Sequence, residues 1–144
     1  MKATVYVLLL TSLVAVGASA ATSKARVFFI EPKSGATVKA TGADAKVHLK
    51  LGVENYKLAA VPDGEVTTAR PGVGHFHIGV DTPCVASGKT IVKGTPSWVH
   101  FGKGDSEMDM QLTPGTHKLA VQFADDLHNA IKGMCTTITI KVAP

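Results

Sequence analysis

The sequence is short of most features that announce an enzyme or a nucleic-acid binder. Only two of its 144 residues are cysteine, too few for a cysteine-rich scaffold; they read as one disulfide or, as the rival, as thiolate metal ligands, which would need a reduced site in an oxidising place. Aromatic residues make up 6%, whereas Val, Ile and Thr are plentiful, a balance that favours strands. The basic residues (Lys24, Lys39, Lys57, Lys89, Lys118 and Lys141 among them) are scattered, with no run and no interleaved aromatics, which argues for a solvated surface and against nucleic-acid binding. No helical periodicity of useful length, no internal repeat and no linker can be found. There is no Gly-x-Ser-x-Gly nucleophile motif. The acids Asp105, Glu107, Asp125 and Asp126 read as turn residues, not as paired catalytic carboxylates. The sequence argues against an enzyme without excluding one.

What is present begins with an export signal. Lys2 supplies a minimal positive start, residues 5–16 are apolar apart from Thr11 and Ser12, and Ala18-Ser19-Ala20 fits a small-residue cleavage site. The apolar stretch is too short for a comfortable membrane span and nothing later is apolar enough to make one. The expected organisation is a signal peptide over residues 1–20 and one domain over 21–144, secreted or periplasmic, with no stable membrane anchor after cleavage. A copper histidine brace needs an N-terminal histidine, and the expected mature terminus is Ala21 instead. In an exported chain the two cysteines, Cys84 and Cys135, are expected to form a disulfide.

Short alternating runs fill the domain. Residues 26–30 form a dense apolar run ended by a Pro/Gly turn, continued briefly by Ala36-Thr37-Val38. Val47, Leu49, Leu51 and Val53 alternate with His48, Lys50 and Gly52, a half-buried strand with a surface histidine. Tyr56 to Val61 reads as a weak strand or turn, and Thr90-Ile91-Val92 as a possible strand. Met108, Met110 and Leu112 share one phase, so the Met-x-Met reads as core filler. Ile138, Ile140 and Val142 close the chain. Strands at this spacing, separated by Gly/Pro turns, describe a single antiparallel immunoglobulin-like β-sandwich of about seven strands.

Two of these strands carry the chemistry. In Gly74-His75-Phe76-His77-Ile78-Gly79-Val80 the apolar residues alternate with both imidazoles, and alternate side chains of a strand leave on opposite faces. In Trp98-Val99-His100-Phe101, Val99 and Phe101 take the core phase and His100 the other. Side by side, the strands bring three imidazoles together, a donor set suited to Zn(II) or Cu(II). The spacing resembles the zinc triad of α-carbonic anhydrases, including the local His-Phe-His, as a precedent for the geometry. His128, in the loop Asp125-Asp126-Leu127-His128-Asn129, is a fourth candidate ligand. His117 is a weaker one: its phase matches Leu119, Val121 and Phe123, which suits a loop-bracing hydrogen bond better than ligation. Asp81 and Glu107 are candidate partners orienting an imidazole. Trp98, on the outer phase, is the candidate contact for a protein or glycan partner.

Four motifs in order, Val-Phe-Phe-x-x-Pro-x-x-Gly-Ala-Thr-Val at 27–38, Gly-His-x-His with Asp-Thr at 74–82, His-Phe-Gly-Lys-Gly at 100–104 and Pro-Gly-x-His-x-Leu at 114–119, resemble the exported domain-of-unknown-function family numbered 4399. The resemblance implies an exported, histidine-rich, immunoglobulin-like β-sandwich with no established activity. That family tends to carry histidine where this chain has Phe76 and Trp98, which implies a leaner site, and the cysteine pair looks like an addition to its pattern.

The expected function is binding of Cu(II) or Zn(II) in metal handling or sequestration, with affinity falling as imidazoles protonate near about pH 6–7. The alternatives are a metal-free module that contacts an extracytoplasmic protein or glycan through its loops and Trp98, and, lower, a zinc-dependent hydrolase or hydratase with an open coordination position.

Overall fold

The computed structural model describes residues 24–41 and 46–143. The expected signal peptide lies outside the described residues. Nine strands and no helix occur among them: β1 Arg26–Glu31, β2 Thr37–Lys39, β3 Lys46–Glu54, β4 Lys57–Leu58, β5 Val73–Val80, β6 Trp98–Phe101, β7 Glu107–Gln111, β8 Gly115–Ala124 and β9 Ala130–Ala143. The two beyond the expected seven are the three-residue β2 and the two-residue β4, where the sequence reads only as a short continuation and a weak strand. Thr90 makes an isolated bridge to Asn129, so the possible strand there does not form.

The strands make a β-sandwich of two sheets, β1-β3-β7 and β2-β9-β8-β5-β4, with β6 also pairing β5. All pairings are antiparallel except β2 with β9 and β4 with β5. One edge of β5 is taken by β8 along its length. The other is shared, first by β4 at Val73–Gly74 and then by β6 at residues 76–79. That sharing sets His100 directly opposite His77.

Alternation builds the core between the sheets. Val47, Leu49 and Leu51 of β3 face Phe76 and Ile78 of β5 and Leu119, Val121 and Phe123 of β8, all buried. Burial of each large apolar side chain stabilises the fold by about 1.5–3 kcal/mol. Met110 is buried and Met108 packs against the same core, as its phase predicts.

The outer face of the larger sheet is covered as well. The connection from β5 to β6, residues 81–97, folds back across it, and Ile91, Trp98, Ala120, Ala124 and Ala130 form a second apolar cluster there. Small residues let the cover approach closely, and the Gln122 amide clamps it: Nε2 donates to Val85 O at 2.7 Å and Oε1 accepts from Val85 N at 2.8 Å. Ile91 N donates to His128 O, and the Cys84–Cys135 disulfide ties the cover's start to β9.

Trp98 belongs to this cluster, 7% exposed, which corrects the expectation of a surface contact. Its phase is indeed the outer one, but that face is roofed. The ring packs over Gly79, where a Cβ would sit 2.9 Å from Trp98 Cη2.

Candidate metal centre

Four histidines meet on this outer side of the larger sheet. His75 and His77 sit mid-strand in β5, fully buried. His77 lies beside His100 of β6 and beside Gln122 of β8, and His75 beside Ala124. His128 comes from the turn between β8 and β9, where Asp125 Oδ1 accepts hydrogen bonds from Leu127 N and Asn129 N at 2.9 and 2.8 Å. His128 itself has φ +65°, a left-handed conformation that costs a side-chain-bearing residue roughly 1 kcal/mol or more. The turn's hydrogen bonds hold it there and direct its ring onto the other three.

One ligand atom from each of His75, His77, His100 and His128 lies within 4.8 Å of the others, so the four could hold a metal ion. His75 Nε2 and His77 Nε2 are 2.9 Å apart, and His100 Nε2 and His128 Nε2 3.2 Å apart. The six ring-centroid separations run from 4.8 to 5.5 Å. His100 and His128 are half-buried, and each borders an opening. His128 borders a cleft of about 330 Å³ shared with Lys93 and Asp126. His100 borders a groove of about 550 Å³.

Burial decides the charge of the set. It pushes His75 down to about 3 and His77 down to about 2, and the neighbouring imidazoles add to the effect. His100 and His128 are also lowered, chiefly by burial. All four are therefore neutral at physiological pH, the form that ligates metal, and protons compete at the inner pair only in strong acid. That moves the expected loss of affinity below the ordinary imidazole range.

The inner pair pays for its position with hydrogen bonds. Nδ1 of His75 and of His77 are buried with no hydrogen-bond partner among the described residues. For Nε2 of one ring to donate to Nε2 of the other, the accepting ring must carry its proton on Nδ1, where no acceptor meets it. A buried N–H left so costs about 1–3 kcal/mol.

The other predicted residues fall elsewhere. His117 Nδ1 pairs with Asp81 Oδ2 at 2.8 Å, and its Nε2 donates to Thr113 O at 2.8 Å; it braces the start of β8. Asp81 is therefore a partner of His117, not of the cluster. Glu107 pairs with Lys50 at 2.6 Å and faces His48, because β7 lies in the opposite sheet. Asp125 acts on His128, and the buried carboxylate that addresses the cluster is Asp126; both are among the acids read as ordinary turn residues. Asp126 is ion-paired with Arg70 at 2.8 Å, also accepts Arg70 N at 3.0 Å, and its charge acts on His75 and His128. Arg70 holds Asp126 down at about 2, so the counter-charge persists. No local sequence signal marks this pair, whose members are 56 residues apart.

One glycine makes room for the site. A Cβ at Gly102 would overlap the His100 ring at Cε1 and Nε2, so any side chain there must displace that candidate ligand. Gly102→Ala is expected to weaken metal binding by about 10–100-fold, while stability in chelator changes by under about 1 kcal/mol, since a half-exposed ring can swing aside. Calorimetric titration beside urea denaturation separates the two effects; an unchanged metal affinity would detach His100 from the site.

A family model described as a domain of unknown function (DUF4399) matches residues 49–143, beginning beyond the first of the four motifs. Comparison with curated proteins found no match. Among solved structures, the chain is similar to a chain described under structures of Clostridium thermocellum CbhA fibronectin(III)-like modules, at 18% identity and a TM-score of 0.44, over 81% of this chain and 96% of that one.

Proposed function

The chain belongs to the DUF4399 family, whose description assigns no activity, and we therefore propose from the site alone that it binds a metal ion, zinc or copper, through His75, His77, His100 and His128 and serves metal handling or sequestration outside the cytoplasm. One observation carries this reading: imidazoles from three separate parts of the chain converge with all four ligand atoms within 4.8 Å. Two of them are fully buried, and a buried, partly unsatisfied polar cluster opposes folding unless something rewards it. Four neutral imidazoles suit the borderline first-row ions. The disulfide supports an oxidising, extracytoplasmic location, and no helix among the described residues is long and apolar enough to cross a membrane.

The competing readings have less to stand on. The interaction module loses its anchor with Trp98 in the second cluster, and Val92 is the large apolar side chain found exposed among the described residues. A zinc hydrolase needs a coordination position for water, and His128 offers a fourth nitrogen in competition with it.

Titration of metal-stripped protein with Zn(II) and copper is expected to give one ion per chain with Kd below about 1 µM. The His75→Ala/His77→Ala double variant should abolish it. Because that variant empties buried volume, His128→Gly is the companion: glycine takes a positive φ freely, so the fold is kept while a ligand is lost. Equal binding in wild type and both variants would place any metal elsewhere.

A further inference from the structure

The separations among the four rings say more than that a metal fits. Resting on the metal-binding reading above, we infer that the site is a closed tetrahedral one, made for ions without a geometric preference of their own, Zn(II) and copper in its Cu(I) state, and set against square-planar Cu(II).

Four points at the corners of a square have two diagonals longer than the sides by about 40%, whereas in a tetrahedron all six separations are equal; tetragonal fields suit Cu(II), tetrahedral ones Zn(II). The centroid separations are 4.8 Å for His75–His77 and for His100–His128, 4.9 Å for His75 with His100 and with His128, 5.2 Å for His77–His100 and 5.5 Å for His77–His128. No two of the six stand apart as diagonals. A zinc ion with bonds of about 2.0–2.1 Å needs its nitrogens about 3.3 Å from one another, and the two close Nε2 pairs stand at 2.9 and 3.2 Å. A small spreading of each pair accommodates the ion.

Flattening the four rings into a plane would be costly. His75 and His77 lie in a strand paired on both edges. The His100 ring rests on Gly102, and the His128 turn is fixed by Asp125 and by Ile91 N. No carboxylate or cysteine joins the four as a ligand among the described residues. Rigid strands and a braced turn thus impose the geometry on the ion, which is how a nitrogen site escapes the general preference of such donors for Cu(II).

Co(II) is the probe, since four-coordinate tetrahedral Co(II) absorbs visible light far more strongly than six-coordinate Co(II). The Co(II)-loaded protein should be intensely coloured, its spectrum unmoved by millimolar imidazole. His128→Gly should give a different spectrum that added imidazole converts to the wild-type one. Loaded with Cu(II), the wild type should show an electron paramagnetic resonance signal with the narrowed parallel hyperfine splitting of a flattened tetrahedron. A weak six-coordinate Co(II) spectrum, a wild-type spectrum that answers to imidazole, or a wide square-planar Cu(II) splitting would overturn the tetrahedral assignment and leave metal binding standing. Failure of Zn(II), Co(II) and copper alike to bind would remove the reading beneath it.

Discussion

Taking the metal-free protein from pH 7 to pH 5 is expected to cost about 4 kcal/mol of stability, from His75 and His77 alone. Their folded-state values, about 3 and about 2, lie well below the ordinary 6.5. A lowered histidine is neutral in the fold and protonated in the unfolded chain between those limits, so the unfolded state takes up more protons. Stability is then complete above about pH 6.5 and falls with acid, by about 1.4 kcal/mol per pH unit for each ring. The figure at pH 5 needs only that both rings remain neutral there. His100 and His128, also lowered, act in the same direction.

Two histidines oppose this. His117 and His48 are raised, by Asp81 and by Asp109. A raised histidine contributes stability below its unfolded value and loses it as pH rises through the folded one, so acid favours both pairs. In both pairs the carboxylate is open to solvent, which keeps their contribution small, and the inner rings prevail. Asp126, held at about 2 by Arg70, adds its own loss only below about pH 4. Urea denaturation in chelator across pH 5–7 measures the slope. A His75→Leu/His77→Leu variant, close in volume and without titrating groups, should lose most of it. A wild-type decline under about 1 kcal/mol would mean that the rings accept protons inside the fold.

The same two rings show what the sequence can and cannot convey. Period-two alternation places His75, His77 and His100 on one face, because a strand obeys it wherever it lies. It cannot say whether that face is wet. The cover from the β5–β6 connection has no periodicity of its own; it is held by Gln122, by Ile91 and by a disulfide, contacts between residues distant in the chain. For that reason Trp98 has the predicted phase and the opposite exposure, and the inner imidazoles protonate far below the range the sequence suggests. His128 was legible as a loop histidine able to reach the others, since a polar turn between strands can present its side chain at a sheet end. Asp126 was not: a carboxylate becomes a buried counter-charge only through Arg70, which the fold alone delivers. Asp81 and Glu107 go to His117 and Lys50 for the complementary reason, that proximity in sequence to a ligand strand does not fix a side chain's partner.

Removing the disulfide, as Cys84→Ala/Cys135→Ala, is expected to lower stability by about 4 kcal/mol and the melting temperature by roughly 15 °C. The bridged residues are 51 apart, and the loss is that of the loop-closure constraint on the unfolded chain, so it should appear even where the folded structure is unchanged. The site gives this loss a second consequence. The bridge fastens the start of the cover, and beneath the cover lie Trp98, Ala120, Ala124 and the outer face of β5. With the tether gone, Gln122 and Ile91 still hold the cover, but its opening costs less, and water then reaches His75 and His77. Their values should rise toward 6.5, and the acid slope of the double variant should be shallower than that of the wild type. On the proposed metal-binding reading, zinc is taken up by the folded arrangement alone and should return about 4 kcal/mol at a free concentration a thousand times Kd. Denaturation of both proteins at pH 5 and pH 7, with and without zinc, reads all of these at once. A loss under about 1 kcal/mol with an unchanged acid slope would show that the cover is held by its packing and the Gln122 amide, with the disulfide a spectator.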